Sequence, residues 1–174
     1  QYQLSATGGD DNTQFYVSAN FREEEGIQLN NKFQRLGVTI NLDQKLTQKL
    51  SLGTNITFSR SLNMRVKGDN FLDGVYSGAI KSLPFNVAYD ENGALVGPAS
   101  PLYAGFPNFN PVGQALLPRF NTISVKALGN LNLTYQFNPD LKFKIQGSLD
   151  YNNVTEDQYE SSQTAIGGFL PSVG

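Results

Sequence analysis

Between Ile123 and Tyr151, apolar and polar residues alternate almost without interruption on either side of a turn at Asn138, Pro139 and Asp140. One parity holds Ile123, Val125, Ala127, Gly129, Leu131, Leu133, Tyr135 and Phe137, then Leu141, Phe143, Ile145, Gly147, Leu149 and Tyr151. The other holds Ser124, Lys126, Asn130, Asn132, Thr134 and Gln136, then Lys142, Lys144, Gln146, Ser148 and Asp150, with Leu128 the one exception. A period of two belongs to strands, because successive side chains point to opposite faces. Each arm also exceeds the roughly 5–6 residues of a globular strand and reaches the roughly 9–11 needed to cross a bilayer at a tilt. Tyr135, Phe137 and Phe143 cluster beside the turn, where an interfacial aromatic girdle would lie.

The same alternation recurs upstream. Tyr2, Leu4, Ala6 and Gly8 oppose Gln3, Ser5 and Thr7 in a first strand that ends in the turn Gly8 to Asn12. Phe15, Val17, Ala19 and Phe21 oppose Gln14, Tyr16, Ser18, Asn20 and Arg22 in a second, and a polar connection from Glu23 to Asn31 follows. The third sets Leu36, Val38, Ile40 and Leu42 against Arg35, Gly37, Thr39 and Asn41, with a turn at Asp43 to Thr47. The fourth sets Leu50, Leu52, Thr54, Ile56 and Phe58 against Ser51, Gly53, Asn55, Thr57 and Ser59. From about Ser61 to Asn121 the alternation stops in a stretch rich in Gly, Pro and Asn, and a connection of that length is usually functional or disordered. Within it, Asn70 to Ser82 is predicted as a short helix capped by Asn70, with Phe71, Leu72, Val75 and Ala79 on one face and Pro84 blocking continuation. After Tyr151, the acidic stretch Asn152 to Ser162 and the tail Ile166 to Gly174 carry no strand signal.

Composition removes function classes more than it assigns one. The chain has 174 residues, 39% of them hydrophobic, and neither figure singles out a class. A net charge of −2 without long runs of one sign gives nucleic acid no electrostatic footprint. The absence of cysteine excludes disulfides and thiolate metal sites, and the absence of histidine removes the commonest general base and metal ligand. No catalytic residues, metal or cofactor are therefore expected. No apolar run approaches the roughly 18 residues of a transmembrane helix, a test to which barrel strands are invisible. The start, Gln1 to Leu4, has no signal-peptide character and already alternates, so the chain is expected to be a part of something longer.

The connections run short, longer, short, very long, short. The fold class expected is therefore all-β: an antiparallel up-and-down meander whose tight turns share one end and whose long loops share the other, as in a large transmembrane β-barrel. A soluble β-sandwich or barrel acting as a binding or adhesion module is the alternative, with the same alternation but its apolar face buried. The two differ in whether the face of Leu131, Leu133, Phe143 and Ile145 is covered.

Several segments, in order across most of the chain, resemble the barrel of the SusC/RagA-like TonB-dependent transporters of Bacteroidetes. They are Tyr2-Gln3-Leu4-Ser5-Ala6-Thr7-Gly8-Gly9, Gln14-Phe15-Tyr16-Val17-Ser18, Glu25-Gly26-Ile27, and Asn31-Lys32-Phe33-Gln34-Arg35 leading into Asn41-Leu42-Asp43. Leu83-Pro84-Phe85, Tyr89-Asp90-Glu91-Asn92-Gly93, Asn110-Pro111-Val112 and Gly129-Asn130-Leu131 continue the series. The resemblance implies an outer-membrane transporter of glycans or peptides. Its implied partners are outer-membrane lipid, the remainder of its own barrel and plug, the TonB complex and a SusD-like surface lipoprotein. It covers wall and one large extracellular loop at about 61–121, with no plug domain, and six strands cannot close a barrel of roughly 22.

Site candidates follow from that placement, each beside its plainer alternative. The loop aromatics Tyr89, Tyr103, Phe106 and Phe109, with Phe120, suit stacking on a ligand or pinning the loop to itself. Arg35, Lys126, Lys142 and Lys144 share the polar parity and suit a lumen lining, pairing with plug carboxylates, or a solvated wall. Asp90 to Gly93 has oxygen ligands for Ca²⁺ but reads better as a turn. Glu23 to Glu25 reads as a solvated loop tip, and Asp150 with Glu156 makes a poor glycosidase pair.

Overall fold

The computed structural model describes residues 1–66, 68, 74–97, 100–104, 110–164 and 167. Six strands, β1 (Tyr2–Gly9), β2 (Thr13–Glu25), β3 (Lys32–Lys45), β4 (Leu50–Arg65), β5 (Arg119–Asn138) and β6 (Leu141–Tyr159), form one sheet in chain order. The sheet is an antiparallel meander, as the loop pattern predicts. Two short helices, α1 (Val75–Lys81) and α2 (Pro111–Leu116), lie between β4 and β5. Because neighbours in sequence are neighbours in the sheet, the connections 10–12, 46–49 and 139–140 share one end of the strands, and 26–31 and 66–118 share the other. Among the described residues no helix is long and apolar enough to cross a membrane, which has no bearing on strands.

Side-chain acceptors close all three tight turns. Asp10 Oδ1 accepts from the N–H groups of Asn12 and Thr13, both at 2.8 Å. Thr47 Oγ1 accepts from Lys49 at 3.2 Å and Leu50 at 3.0 Å, and Asn138 Oδ1 from Asp140 at 3.0 Å and Leu141 at 2.8 Å. Each thus satisfies backbone donors that the ladder leaves over, which is the reason such residues favour turns. Gly9 before the first turn has φ +148°, and a Cβ there would lie 2.1 Å from the Thr13 carbonyl oxygen, so only glycine fits. The N–H groups of Asn12 and Thr13 hold the Asp10 carboxyl below its ordinary 3.8. The carboxylate therefore supports the turn above the ordinary value and loses that support as pH falls through its lowered one. An NMR titration is expected to place the Asp10 midpoint below 3.8, moving up to the ordinary value in a peptide spanning the turn alone; equal midpoints would contradict the turn geometry.

The β1–β2 register pairs Tyr2 with Phe21, Leu4 with Ala19, Ala6 with Val17 and Gly8 with Phe15, so the apolar parities of the two strands share a face. The Phe15 ring covers Gly8, where an added Cβ would meet it at 3.0 Å. On the other face, glycine makes room for asparagine. A Cβ on Gly37 would strike the Asn20 side chain at 2.9 Å, and one on Gly53 the Asn132 side chain at 2.6 Å. These amides pack against Gly37 and Gly53, both of which are buried.

The strands overrun the lengths expected from sequence. Glu23 to Glu25 belong to β2, not to a loop tip; Asp43 to Lys45 belong to β3; and Asn152 to Tyr159, read as connection, complete β6. The irregular segment is 66–118 and not 61–121, because β4 continues to Arg65 and β5 begins at Arg119. Glu23 to Glu25 and Asp43 to Lys45 are polar at both parities, and Asn152 to Tyr159 is so except at Val154 and Tyr159, which hides the period of two while the ladder persists; β4 keeps its alternation through Leu62 and Met64. The helix predicted from Asn70 is shorter: α1 begins after Gly74, which offers no side-chain cap, and Asn70 to Asp73 lie outside the described residues.

By contact density the chain forms two units. One comprises 1–24, 33–62 and 123–155, the main span of the sheet; the other comprises 25–32, 63–122 and 156–174, the longer connections with the strand ends that carry them.

Candidate functional site

The apolar face of the sheet is bare. Leu4, Phe15, Ile56, Leu131, Phe137, Phe143, Ile145 and Leu149 are all exposed, Leu4 to 79% and Ile145 to 57%. No second sheet or helix covers them among the described residues. The buried residues of this unit are instead Ser18, Gly37, Gly53 and Ser59, small groups on the Asn-rich parity. That inverts the arrangement of a sandwich, in which the apolar parity is the covered one. Tyr135 and Phe137 meet edge to face with centroids 4.8 Å apart beside the β5–β6 turn, and Tyr2, Phe21 and Tyr151 mark the far limit of the apolar band.

The polar face is an amide surface. Asn55 Nδ2 donates to Asn41 Oδ1 across β3 and β4. Asn41, Asp43, Asn55, Asn130, Asn132, Lys144 and Gln146 line a shallow recess of about 450 Å³, which places Lys144 among the amides. Lys126 and Lys142 share its parity, Arg35 shares that of Gly37 and Asn41, and all four cations are exposed. Asp150 is exposed on the same strand, and Glu156, six residues on, accepts from Arg65 Nη2 at 2.8 Å and Thr122 Oγ1 at 3.3 Å, a pairing that ties β6 to β4 and β5.

Charged cross-links tie the strand ends. Arg119 Nε approaches Asp157 at 2.9 Å, Lys32 Nζ approaches Glu25 at 3.7 Å, Gln34 Nε2 donates to Glu23 Oε2 at 2.6 Å, and Arg22 pairs with Glu24. The acidic run thus has a partner for each carboxylate. Exposed pairs of this kind contribute little stability each.

The connection between β4 and β5 has a small core of its own. Among its described residues Val96, Tyr103 and Ala115 are buried apolar side chains and Asn110 and Gln114 buried polar ones, and Phe120 at the start of β5 is buried as well. Tyr103, 4% exposed, donates its hydroxyl to Ser82 Oγ at 2.8 Å. Asn86 bonds Ala104 twice, Nδ2 to the carbonyl at 2.8 Å and Oδ1 from the N–H at 2.9 Å. Asp90 to Gly93 is a turn: Asp90 Oδ1 accepts from Asn92 and Ala94, Gly93 has φ +78°, and Tyr89 bridges Leu95.

The structure therefore separates the four loop aromatics. Tyr103 belongs to the packing of the loop, Tyr89 is 48% exposed at the base of the hairpin, and Phe106 and Phe109 lie outside the described residues. Sequence reasoning overlooked Asn110. It is 5% exposed, its Oδ1 accepts from Val112 N at 3.1 Å, and its Nδ2 donates to the carbonyls of Ala88 at 2.8 Å and Val96 at 3.1 Å. The signal was present, since Asn followed by Pro marks the cap and first residue of a helix.

No family model matches the chain. Among curated proteins it is 29% identical over 163 residues to TonB-dependent receptor P26 of Formosa agariphila, a match covering 92% of this chain and 16% of that protein. TonB-dependent receptor P3 of the same organism is 28% identical over 88 residues, covering 51% of this chain and 9% of that protein. Among solved structures, that of the RagAB peptide transporter superposes with a TM-score of 0.67 at 20% identity, covering 90% of this chain and 18% of the other. The chain thus spans about 16% of the length of the longer-matching curated relative.

Proposed function

We propose that the chain is a segment of a SusC/RagA-like TonB-dependent receptor of the outer membrane, a reading its likeness to TonB-dependent receptors supports, and that it forms about a quarter of a transport barrel of roughly 22 strands. Its apolar face meets lipid, its amide face lines the lumen, and the 66–118 connection stands on the extracellular side. The cargo is peptides or glycans. The chain does no chemistry on it; energy comes from the TonB complex, a plug occupies the lumen, and a SusD-like lipoprotein covers the mouth. Arg35, Lys126, Lys142 and Lys144 face that lumen, and of Tyr89, Tyr103, Phe106 and Phe109 it is Tyr89 whose described surface is free to stack on cargo, beside the exposed Tyr76 and Phe85.

The bare apolar face is the observation that carries this reading. On β6 it runs from Leu141 to Tyr151. At about 3.3 Å per residue that is about 33 Å along the strand, and at a tilt near 40° about 25 Å in height, the thickness of a barrel's lipid-facing band. The remaining strand, Asn152 to Tyr159, carries the Arg65–Glu156 and Arg119–Asp157 pairs and suits water. Both β1 and β6 also leave an outer edge open, which further wall strands would close.

Cysteine scanning of the full-length receptor in native membranes tests the reading. Cysteine at Leu131, Leu133, Ile145 or Leu149 is expected to resist a hydrophilic maleimide and to react with a lipid-soluble one, whereas cysteine at Asn130, Asn132, Ser148 or Gln146 reacts with the hydrophilic reagent. Equal hydrophilic labelling of both sets would sink the membrane wall and restore the soluble module.

A further inference from the structure

We propose that Asn110 is a positioning residue for cargo recognition: it sets the orientation in which the 89–95 hairpin, and with it Tyr89, is presented. This rests on the reading of the 66–118 connection as a cargo-facing loop. The hairpin is internally closed, since Asp90 N donates to Ala94 O at 2.9 Å, Gly93 N to Asp90 O at 3.0 Å, and Val96 N to Ala88 O at 3.1 Å. It therefore moves as one piece, and its orientation depends on what grips its stems. Asn110 grips both, because its amide donates to the carbonyls of Ala88 and Val96, one on each stem, while its oxygen caps Val112 in the first turn of α2. From α2 the connection continues to the 26–31 segment, where Asn30, at φ +62°, donates Nδ2 to the Ala115 carbonyl at 3.4 Å.

Chemistry explains why the residue is an asparagine. The site needs two donors aimed at carbonyl oxygens and one acceptor aimed at an N–H, within a buried space. Aspartate keeps the acceptor and the shape but sets an anionic oxygen against two carbonyl oxygens, so it would release the hairpin while leaving α2 capped. Alanine would lose both functions, taking that partner from the Val96 carbonyl and the Val112 N–H, while the Ala88 carbonyl keeps only the Val96 N–H.

The test uses the full-length receptor with two readouts. A nitroxide on Asn92→Cys at the hairpin tip is expected to be immobile in the parent and mobile with Asn110→Asp. Uptake of a fluorescein-labelled tryptic digest of casein is expected to need about tenfold more substrate for half-saturation in Asn110→Asp, at an unchanged maximal rate. Tyr89→Ala is expected to give a similar shift, and the double variant a shift no larger than either, because two residues acting through one contact are not additive. An unchanged spin-label spectrum overturns the positioning role. Shifts that multiply overturn the link to Tyr89. If the parent itself takes up none of the digest, the peptide-cargo reading fails on its own, and the spectrum still decides whether Asn110 holds the hairpin.

Discussion

Arginine in place of Ile145 in the full-length receptor is expected to destabilise the folded barrel by about 2–4 kcal/mol, the cost of a cation near the bilayer midplane on the lipid face of a barrel. Ile145 lies mid-way along the apolar parity of β6 between Leu141 and Tyr151, and its side chain is more than half exposed. Its surroundings in the membrane wall are hydrocarbon, which cannot solvate a guanidinium. The adjacent Gln146→Arg is the control, because Gln146 lines the polar recess with Asn130, Asn132 and Lys144. There the new charge meets water and amides and is expected to change stability by less than about 0.5 kcal/mol. Urea titration in detergent or lipid, read as the shift of the unfolding midpoint, distinguishes the two positions. If both variants lose the same stability, the faces have been assigned wrongly; if Gln146→Arg loses more, the barrel is inside out with respect to this account.

Tyr103→Ala is expected to have an effect of similar size but confined to the long connection. The ring is almost fully buried, and its hydroxyl donates to Ser82 at 2.8 Å. Removing a buried aromatic ring costs about 3–5 kcal/mol where the site cannot collapse. The strands outside the connection have their own ladder bonds, so the loss falls on residues 82–97 and 100–104. Hydrogen exchange should accelerate there by two orders of magnitude or more and remain unchanged in β5 and β6. Tyr103→Phe, which keeps the ring and loses one hydrogen bond, should cost only about 1 kcal/mol. Protection that survives Tyr103→Ala would show that the ring does not hold the connection together, and the case for a preformed loop would go with it.

Much of the wall was legible because its signal is local. Alternation between Ile123 and Tyr151 needs only neighbouring residues to be read, and the Asp10 and Asn138 turns announce themselves through side chains that bond their own backbone. The parity of Arg35, Lys126, Lys142 and Lys144 followed from the same count. The strand ends were not legible in this way. Glu23 to Glu25 and Asn152 to Tyr159 carry polar residues at both parities, so hydropathy alone cannot separate a solvated strand from a loop. What makes them strand is pairing with a neighbour, and side chains such as Arg65 with Glu156 then confirm it from positions far apart in sequence.

The loop aromatics show the same division. Tyr89 and Tyr103 stand in similar company of Gly, Pro and Asn, and nothing near either one says which is exposed. Tyr103 is buried with its hydroxyl on Ser82, more than twenty positions away, and Tyr89 is exposed beside the turn made by Asp90 and Gly93. By itself, the sequence determined the strand period, the tight turns and which parity is apolar, since each rests on interactions within a few residues. Only the tertiary structure decided that none of the described residues covers the apolar parity, how far the strands continue past the apolar band, and that Asn110 joins the hairpin to α2. Each of those depends on residues brought together across tens of positions of chain, where burial and hydrogen-bond partners are properties of the assembled fold and not of any one segment.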